Sequence, residues 1–305
     1  MSSSVFLSIL IPVYNWDVRP LLKKLSVQCT NLDAQENIEI RIIDDGSSEK
    51  FNAVKMAEQL SPVIYEELAV NVGRVAVRNI LLNKAKGKYI LFLDADMLPD
   101  QNDFIQTYCD LANGGHEIVC GGISYLQRKE DGNADHAFYL YKSNKTEALP
   151  AEIRNCTPWR YLFTSNIMLR RDIVDSIRFD SRFTGYGYED IEWAIRLSEM
   201  YTIKHINNTC SHMGVMNKQQ VYKNMRDSIG NYALLLTLHP KQTAGGGAVR
   251  IAGKLKFFSV SLLNLADSIL SKMFTSTAWN PLLFFVFQCD KAVLLARALK
   301  EKAEV

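Results

Sequence analysis

The chain has 305 residues, 48% of them hydrophobic and 22% charged, and a formal net charge of +2. That is the balance of a globular protein with a substantial core, and it excludes wholesale disorder and a collagen-like fibre. So small a net charge gives no bulk attraction to nucleic acid, and no nucleic-acid partner is expected.

In chain order, Val5–Ile11 is an apolar run with β-branched content and reads as a buried strand. Met1-Ser-Ser-Ser before it lacks a basic region, and Ser8 and Pro12 interrupt the apolar stretch, so a strand is expected there and not a signal peptide. Asp17–Cys29 has helical spacing, with Val18, Leu21, Leu22 and Leu25 on one face. Ile38–Ile43 is a second strand, Phe51–Leu60 a helix, Val63–Glu67 a short strand and Gly73–Ala85 a helix. Tyr89–Leu93 is another strand, Asp100–Ala112 a helix, and Glu117–Cys120 opens a further strand. Such alternation predicts an α/β fold, a Rossmann-like, mostly parallel sheet flanked by helices. Near-continuous apolar strands fit a sheet covered on both faces. Residues 129–150 are polar and read as a loop. Phe163–Leu169 and Tyr201–Ile206 read as strands, Tyr188–Met200 as a helix, and Asn217–Leu236 as one longer helix. Gly245-Gly246-Gly247 reads as a linker. Two amphipathic helices are predicted beyond it, Ile251–Phe274 and Pro281–Lys302.

Open parallel sheets take ligands beyond the carboxyl ends of their strands. Three motifs fall at such ends: Pro12-Val-Tyr-Asn15, Asp44-Asp-Gly-Ser47 and Asp94-Ala-Asp96. They predict four carboxylates on one rim, which stability alone would not cluster, because like charges repel. Asp94 and Asp96 can reach one hard divalent cation; as a plain structural feature they would be a helix cap. Asp44-Asp-Gly-Ser47 is either a tight turn or a carboxylate that accepts the N3–H of uracil. Arg74 and Arg78 lie on one helix face and suit phosphate or base recognition, or solvation. In Gly185-Tyr-Gly-Tyr-Glu-Asp-Ile-Glu-Trp193 two glycines allow close approach to a ligand. Glu189 and Asp190 then open a helix whose amino end favours an ionised carboxylate, and this suits a general base for a sugar hydroxyl. Tyr186, Tyr188 and Trp193 could stack on a sugar. Capping plus core aromatics is the plainer account, but glycines, acids and rings coincide. His212, and Trp159 in Cys156-Thr-Pro-Trp-Arg160, read on residues alone as structural.

Taken in order, these motifs resemble the family 2 glycosyltransferases with the GT-A nucleotide-diphospho-sugar fold. The matching pieces are Ile9-Leu-Ile-Pro-Val-Tyr-Asn15, Ile43-Asp-Asp-Gly-Ser47, Asn71-Val-Gly with Arg78-Asn79, Gly87-Lys-Tyr-Ile-Leu-Phe-Leu-Asp-Ala-Asp96, Ser165-Asn-Ile-Met-Leu-Arg170 and Gly187-Tyr-Glu-Asp190, spanning roughly residues 5–215. The last is similar to that of enzymes adding galactose or N-acetylhexosamine units to growing glycans. The resemblance implies an inverting hexosyltransferase that uses a UDP-sugar donor, a glycan or lipid-linked acceptor and Mn²⁺ or Mg²⁺, in surface polysaccharide or lipopolysaccharide synthesis. It implies that Pro12 and Tyr14 line the nucleotide pocket, Asp45 contacts uracil and Arg78 helps hold the nucleotide. Asp94, with Ala95 beside it, would contact ribose or the sugar. Asp96 would ligate the metal and His212 would complete its site. Glu189, with Tyr186, Gly187 and Trp159, would bind the acceptor, and Asp190 would be the base. The transferase domain would cover 1–240, with a nucleotide-binding half of about 1–125 and an acceptor-binding half of about 126–240.

Two other readings compete. An aspartyl phosphotransferase is disfavoured, because the acidic pair follows the fourth predicted strand and precedes Met97-Leu98. A non-catalytic nucleotide-sugar-binding module on the same fold would keep Asp45 and Asp96 but need no base. Residues 241–305 lie outside the resemblance. Residues 240–305 hold nine Lys/Arg and four Asp/Glu, a balance of +5 against −3 for the rest. Their basic charge and apolar faces predict peripheral membrane contact through 250–303, or packing on the domain or on another subunit. No stretch reaches the roughly 18 apolar residues of a span. The six cysteines form no C-x-x-C pair, which fits a reducing cytosol.

Overall fold

A computed structural model describes residues 5–32, 37–49, 51, 53–128 and 133–303. Met1–Ser4 of the expected non-signal amino terminus, Asn52 of the second predicted helix and residues 129–132 of the predicted loop lie outside the described residues. The first half alternates: β1 (Leu7–Val13), α1 (Arg19–Thr30), β2 (Ile38–Asp44), α2 (Ala53–Ala57), β3 (Val63–Glu67), α3 (Arg74–Lys84), β4 (Tyr89–Leu93), β5 (Met97–Pro99), α4 (Phe104–Asn113), β6 (Ile118–Cys120) and β7 (Ile123–Ser124). There follow α5 (Ala137–Thr146), α6 (Ala151–Arg154), β8 (Asn166–Arg170), α7 (Arg171–Ser176), α8 (Glu189–Ser198), β9 (Ile203–His205) and β10 (Cys210–His212). The rest is helical: α9 (Lys218–Asp227), α10 (Ile229–Leu238), α11 (Pro240–Thr243), α12 (Gly247–Leu255), α13 (Val260–Ser276) and α14 (Asn280–Ala303). The chain forms two compact units. The first holds Met1–Lys129, Glu147–Arg182 and Trp193–Gly214; the second holds Glu130–Thr146, Phe183–Glu192 and Val215–Val305. Residues 215–240 thus group with the expected extension.

In the first unit, seven strands among the described residues form one sheet in the order β3-β2-β1-β4-β8-β6-β9. It is parallel except at β8, which runs antiparallel to β4 and β6. Strand β1 pairs with β2 on one side (Val13 with Asp44) and β4 on the other (Leu10 with Phe92). This is the switch point of the sheet. Strands β1 and β4 carry no charge because both faces are covered. Leu7, Ile9 and Ile11 face a core with Leu21, Leu22 and Leu25 of α1 and Phe104 of α4. Leu10, Ile90 and Phe92 face a second core with Val77 and Leu81 of α3 and Trp193 of α8. Burying each such side chain stabilises by about 1.5–3 kcal/mol. Trp193 is therefore a core residue and not the expected sugar-stacking surface. It is fully buried, its Nε1 donates to the Ile177 carbonyl at 2.6 Å, and its ring packs on Phe179 at 4.3 Å.

A second sheet, β5-β10-β7, has strands of two or three residues. Strands this short are marginal alone. Asp100 ties them together, accepting from Ser124 Oγ, Thr209 Oγ1 (2.6 Å), Ser211 Oγ (2.6 Å) and Gln127 Nε2 (3.0 Å). Burial alone would raise the Asp100 pKa; the donated bonds outweigh it and hold the carboxyl below its ordinary value. None of the six cysteines is in a disulfide.

In the second unit, Ala233, Leu236, Ala252, Leu263, Val293, Leu295 and Ala296 form the helical core. The polar stretch read as a loop contains α5. Its anchor is Phe138, edge-on to Phe274 at 5.2 Å and Phe287 at 5.7 Å. An anchor of so few residues leaves no helical period in the sequence. The single predicted helix over 217–236 is two, α9 and α10, divided at Ser228, whose Oγ donates back to the Met225 carbonyl at 2.8 Å. The predicted linker is a tight break, with Gly246 capping α12. The predicted helix 251–274 is interrupted before Ser259, which caps α13 by accepting from Leu262 N at 3.3 Å. Among the described residues no helix is long and apolar enough to cross a membrane.

Candidate active site

The rim of the first unit is built by side chains that accept from backbone N–H groups of neighbouring loops. Asn15 stands at φ 47° beyond β1. Its Oδ1 accepts from Ser48 N at 2.9 Å and Glu49 N at 3.2 Å, joining the ends of β1 and β2. Asp44 Oδ1 accepts from Ser47 N at 2.7 Å and Oδ2 from the Tyr65 hydroxyl at 3.1 Å. The two Asp45 oxygens accept from Val72 N at 2.7 Å and Gly73 N at 3.0 Å. A Cβ on Gly46, at φ 70°, would stand 2.6 Å from Asn71 N, so glycine alone lets these loops touch. Two of the four expected rim carboxylates are therefore buried and hydrogen-bonded, which removes the repulsion argument for Asp44. Each Asp45 oxygen retains an acceptor site. Pro12 is half-buried in β1, and Tyr14 beyond it is exposed.

At the end of β4, Arg78 is buried and donates from Nη2 to Asp94 Oδ1 at 3.2 Å. Its guanidinium lies 5.9 Å from the Phe179 ring centre. It is not on a solvated face; it orients a rim carboxylate. Ala95 is buried beside it. Asp96 Oδ2 lies 3.0 Å from His212 Nε2. The short sheet makes this pair: β10 runs antiparallel to β5, His212 sits opposite Met97, and Met213 N donates to the Asp96 carbonyl at 2.8 Å. A Cβ on Gly214 would stand 2.3 Å from Asp96 Oδ2, so any larger residue there would push the carboxylate aside. Burial disfavours the charged form of both partners. The hydrogen bond and opposite charge prevail, holding Asp96 below its ordinary pKa, with help from Arg74, and His212 above its own. From the sequence alone, Gly214 has no role and Asp100 is only the start of a helix. The glycine two residues after His212 was the available signal.

The donor set fits a divalent cation. One carboxylate oxygen and one imidazole nitrogen converge, a pairing that suits Mn²⁺ and admits Mg²⁺. Among the described residues no group of three or more His, Cys, Asp or Glu converges on one point. Such ions commonly take one or two protein ligands and complete their shell with substrate phosphates and water.

The predicted acceptor segment belongs to the second unit, apart from Trp159, which is half-buried against the second core of the first. Gly185, Gly187 and Tyr188 all have positive φ, at 77°, 86° and 70°. For Tyr188 this conformation is strained and must be held by its surroundings. Its ring stacks on Tyr232 at 4.4 Å and 4°, with Lys291 Nζ 5.3 Å and 4.9 Å from the two ring centres. Asn231 Nδ2 donates to the carbonyls of Thr184 (3.0 Å) and Gly187 (2.9 Å). Helix α8 then begins at Glu189, which is buried, while Asp190 and Tyr186 are half-buried. Glu192 Oε1 lies 3.2 Å from His239 Nε2. Tyr232, Lys291 and Asn231 lie far along the chain from the motif they hold and carry no signal of it.

The family model described as Glycosyl transferase family 2 matches residues 8–178. The amylovoran biosynthesis glycosyltransferase AmsB of Erwinia amylovora is 26% identical over 207 residues, covering 63% of this chain and 64% of AmsB. Three curated relatives, AmsB among them, are matched over between 60% and 64% of their own length. Among solved structures, S. aureus TarS 1–349 in complex with UDP-GlcNAc has a TM-score of 0.51 at 15% identity, covering 98% of this chain and 92% of that TarS fragment. The mannosyltransferase PcManGT of Pyrobaculum calidifontis, in complex with GDP-Man and Mn²⁺, has 0.54 at 14%, covering 99% and 88%. Both likenesses bear on the fold, which is GT-A.

Proposed function

We propose, from the premise that this chain belongs to glycosyl transferase family 2, that it moves a sugar from a nucleotide-diphospho-sugar to a hydroxyl of a glycan or lipid-linked acceptor. The observation that carries this reading is the pairing of Asp96 with His212 just beyond the carboxyl end of β4, beside the switch point of the sheet. An open α/β sheet takes its ligand there. A UDP-sugar of galactose or N-acetylhexosamine type is the donor. Asp45 at the end of β2 supports uracil recognition, and the UDP-GlcNAc complex of TarS supports the donor class. The name of AmsB supports a role in building polysaccharide.

In the reaction the acceptor oxygen bonds to the anomeric carbon while the bond from that carbon to the diphosphate oxygen breaks. The electron pair leaves with the nucleoside diphosphate, and the configuration inverts in one displacement. Asp190 takes the hydroxyl proton. Its place in the first turn of α8, where the helix end favours negative charge, supports this role. Glu189, Tyr186, Gly187 and Trp159 hold the acceptor. Pro12 and Tyr14 flank the nucleotide. Asp94, oriented by Arg78, contacts ribose or the sugar. Mn²⁺ or Mg²⁺ held by Asp96 and His212 would supply positive charge against the diphosphate.

Titration calorimetry with a panel of nucleotide-sugars tests the reading, with and without Mn²⁺, on wild type and Asp96→Ala. Binding of a UDP-sugar that requires both the metal and Asp96 is expected. Absence of binding for every nucleotide-sugar would end it.

A further inference from the structure

We propose that α12, α13 and the turns beside them dock on an anionic phospholipid bilayer, lying along it without crossing it. This rests on the second unit alone and is independent of the transferase reading. Helix α13 sorts its residues by face. Leu263 and Phe274 are buried in the helical unit. Leu262, Leu265, Ile269 and Met273 are exposed by 46%, 57%, 51% and 39%. Their spacing places them in one stripe, about 16 Å long at the helical rise. The stripe continues at both ends into exposed aromatics, Phe257 and Phe258 before the helix and Trp279 after it. Indole and phenyl rings flanking an apolar stripe suit the headgroup boundary.

Charge selects the occupant. Between Ala244 and Asn280 the cations are Arg250, Lys254, Lys256 and Lys272, all exposed, and the sole acid is Asp267. Asp267 is turned inward and accepts from Arg226 at 2.6 Å. The solvent face of this segment therefore carries cations and apolar groups with no carboxylate. A second copy on the same patch would bring like charges together. Lysine is depleted in protein–protein contacts, whereas an anionic lipid surface attracts each lysine. No described helix is long and apolar enough to span, so the segment lies in the interface.

Co-sedimentation of the full chain tests this, using vesicles of phosphatidylcholine alone and vesicles with about a third phosphatidylglycerol. Binding to the anionic vesicles is expected to exceed binding to the neutral ones by on the order of tenfold or more, and to weaken with salt. Leu265→Asp with Ile269→Asp should lower it by on the order of tenfold or more. Lys254→Glu with Lys256→Glu, which leaves the apolar stripe intact, should lower it by on the order of tenfold. All four positions are exposed, and an unchanged unfolding midpoint verifies folding; if the apolar pair misfolds, the lysine pair decides. No binding to anionic vesicles, equal binding to neutral ones, or binding that both variants leave unchanged would overturn the proposal. So would a dimer on size-exclusion that Leu265→Asp dissociates while vesicles fail to bind, which would assign the face to a second copy.

Discussion

In the first unit the candidate ligands sit at strand ends, where ladder register fixes them. In the second, the candidate base follows a strained loop fixed by distant side chains. His212 reaches Asp96 because β10 pairs with β5 one residue beyond the acidic motif. Tyr188 keeps a φ of 70° because Tyr232, Lys291 and Asn231 grip the loop around it. The first arrangement should tolerate side-chain changes nearby but not crowding of the backbone. The second should be sensitive to single side chains far along the chain.

Asp190→Asn separates the two regions most widely. Turnover should fall by roughly 10²–10⁴-fold, the usual yield of a general base, while calorimetric donor affinity stays within about twofold. Retained turnover would remove Asp190 from the mechanism, and loss of donor binding as well would make the two regions one. Gly214→Ala tests the crowding claim, since its Cβ would stand 2.3 Å from Asp96 Oδ2 and turn the carboxylate away from His212. Metal-dependent donor affinity should drop on the order of 10–100-fold, as when the support of a metal ligand is lost. An alanine variant with normal affinity would show that the carboxylate gives way without losing its ligand geometry. Tyr232→Ala probes the side-chain claim. With the stacked ring gone, kcat should fall about tenfold through lost positioning, with donor affinity unchanged. An unchanged kcat would mean the loop holds its shape unaided.

The same contrast explains what was legible in the sequence. The strands predicted over Val5–Ile11 and Tyr89–Leu93 announced themselves because a sheet covered on both faces needs unbroken apolar runs. Asp94 and Asp96 followed, being tied to a strand end. His212 came from resemblance, because strand pairing across more than a hundred residues leaves no local mark. Helix α5 and the break at Ser228 were hidden: the first is anchored by few residues, and the second turns on one hydroxyl. The spacing of Arg78 left ligand recognition and a solvated face both open, since periodicity does not show that a buried guanidinium has a carboxylate at a strand end to meet.

The smallest expected difference between the units is in their response to pH, and it has opposite signs. In the first unit, His205 lies 2.7 Å from Arg154 Nη1 through Nδ1 and 2.9 Å from the Pro158 carbonyl through Nε2. Burial, opposed by the Pro158 contact but aided by Arg154, pushes its pKa down to about 4. Its contribution to stability is full above the unfolded value of about 6.5 and is lost as pH falls through about 4. In the second unit, Asp290 accepts from the Tyr222 hydroxyl at 2.6 Å and Arg226 Nη1 at 3.1 Å. Burial nonetheless pushes its pKa up to about 6; the Tyr222 bond opposes the shift, and the Asp267 charge adds to it. Its contribution is full below the unfolded value of about 3.9 and is lost as pH rises through about 6. Between those limits acid weakens the first unit and strengthens the second. Asp290→Asn keeps an acceptor for Tyr222 and removes the charge. It should stabilise the protein by about 1–3 kcal/mol near pH 8 and by almost nothing near pH 4, read from denaturant unfolding. A gain equal at both pH values would trace the effect to packing, and a loss near pH 8 would mean that Arg226 needs the charge more than burial penalises it.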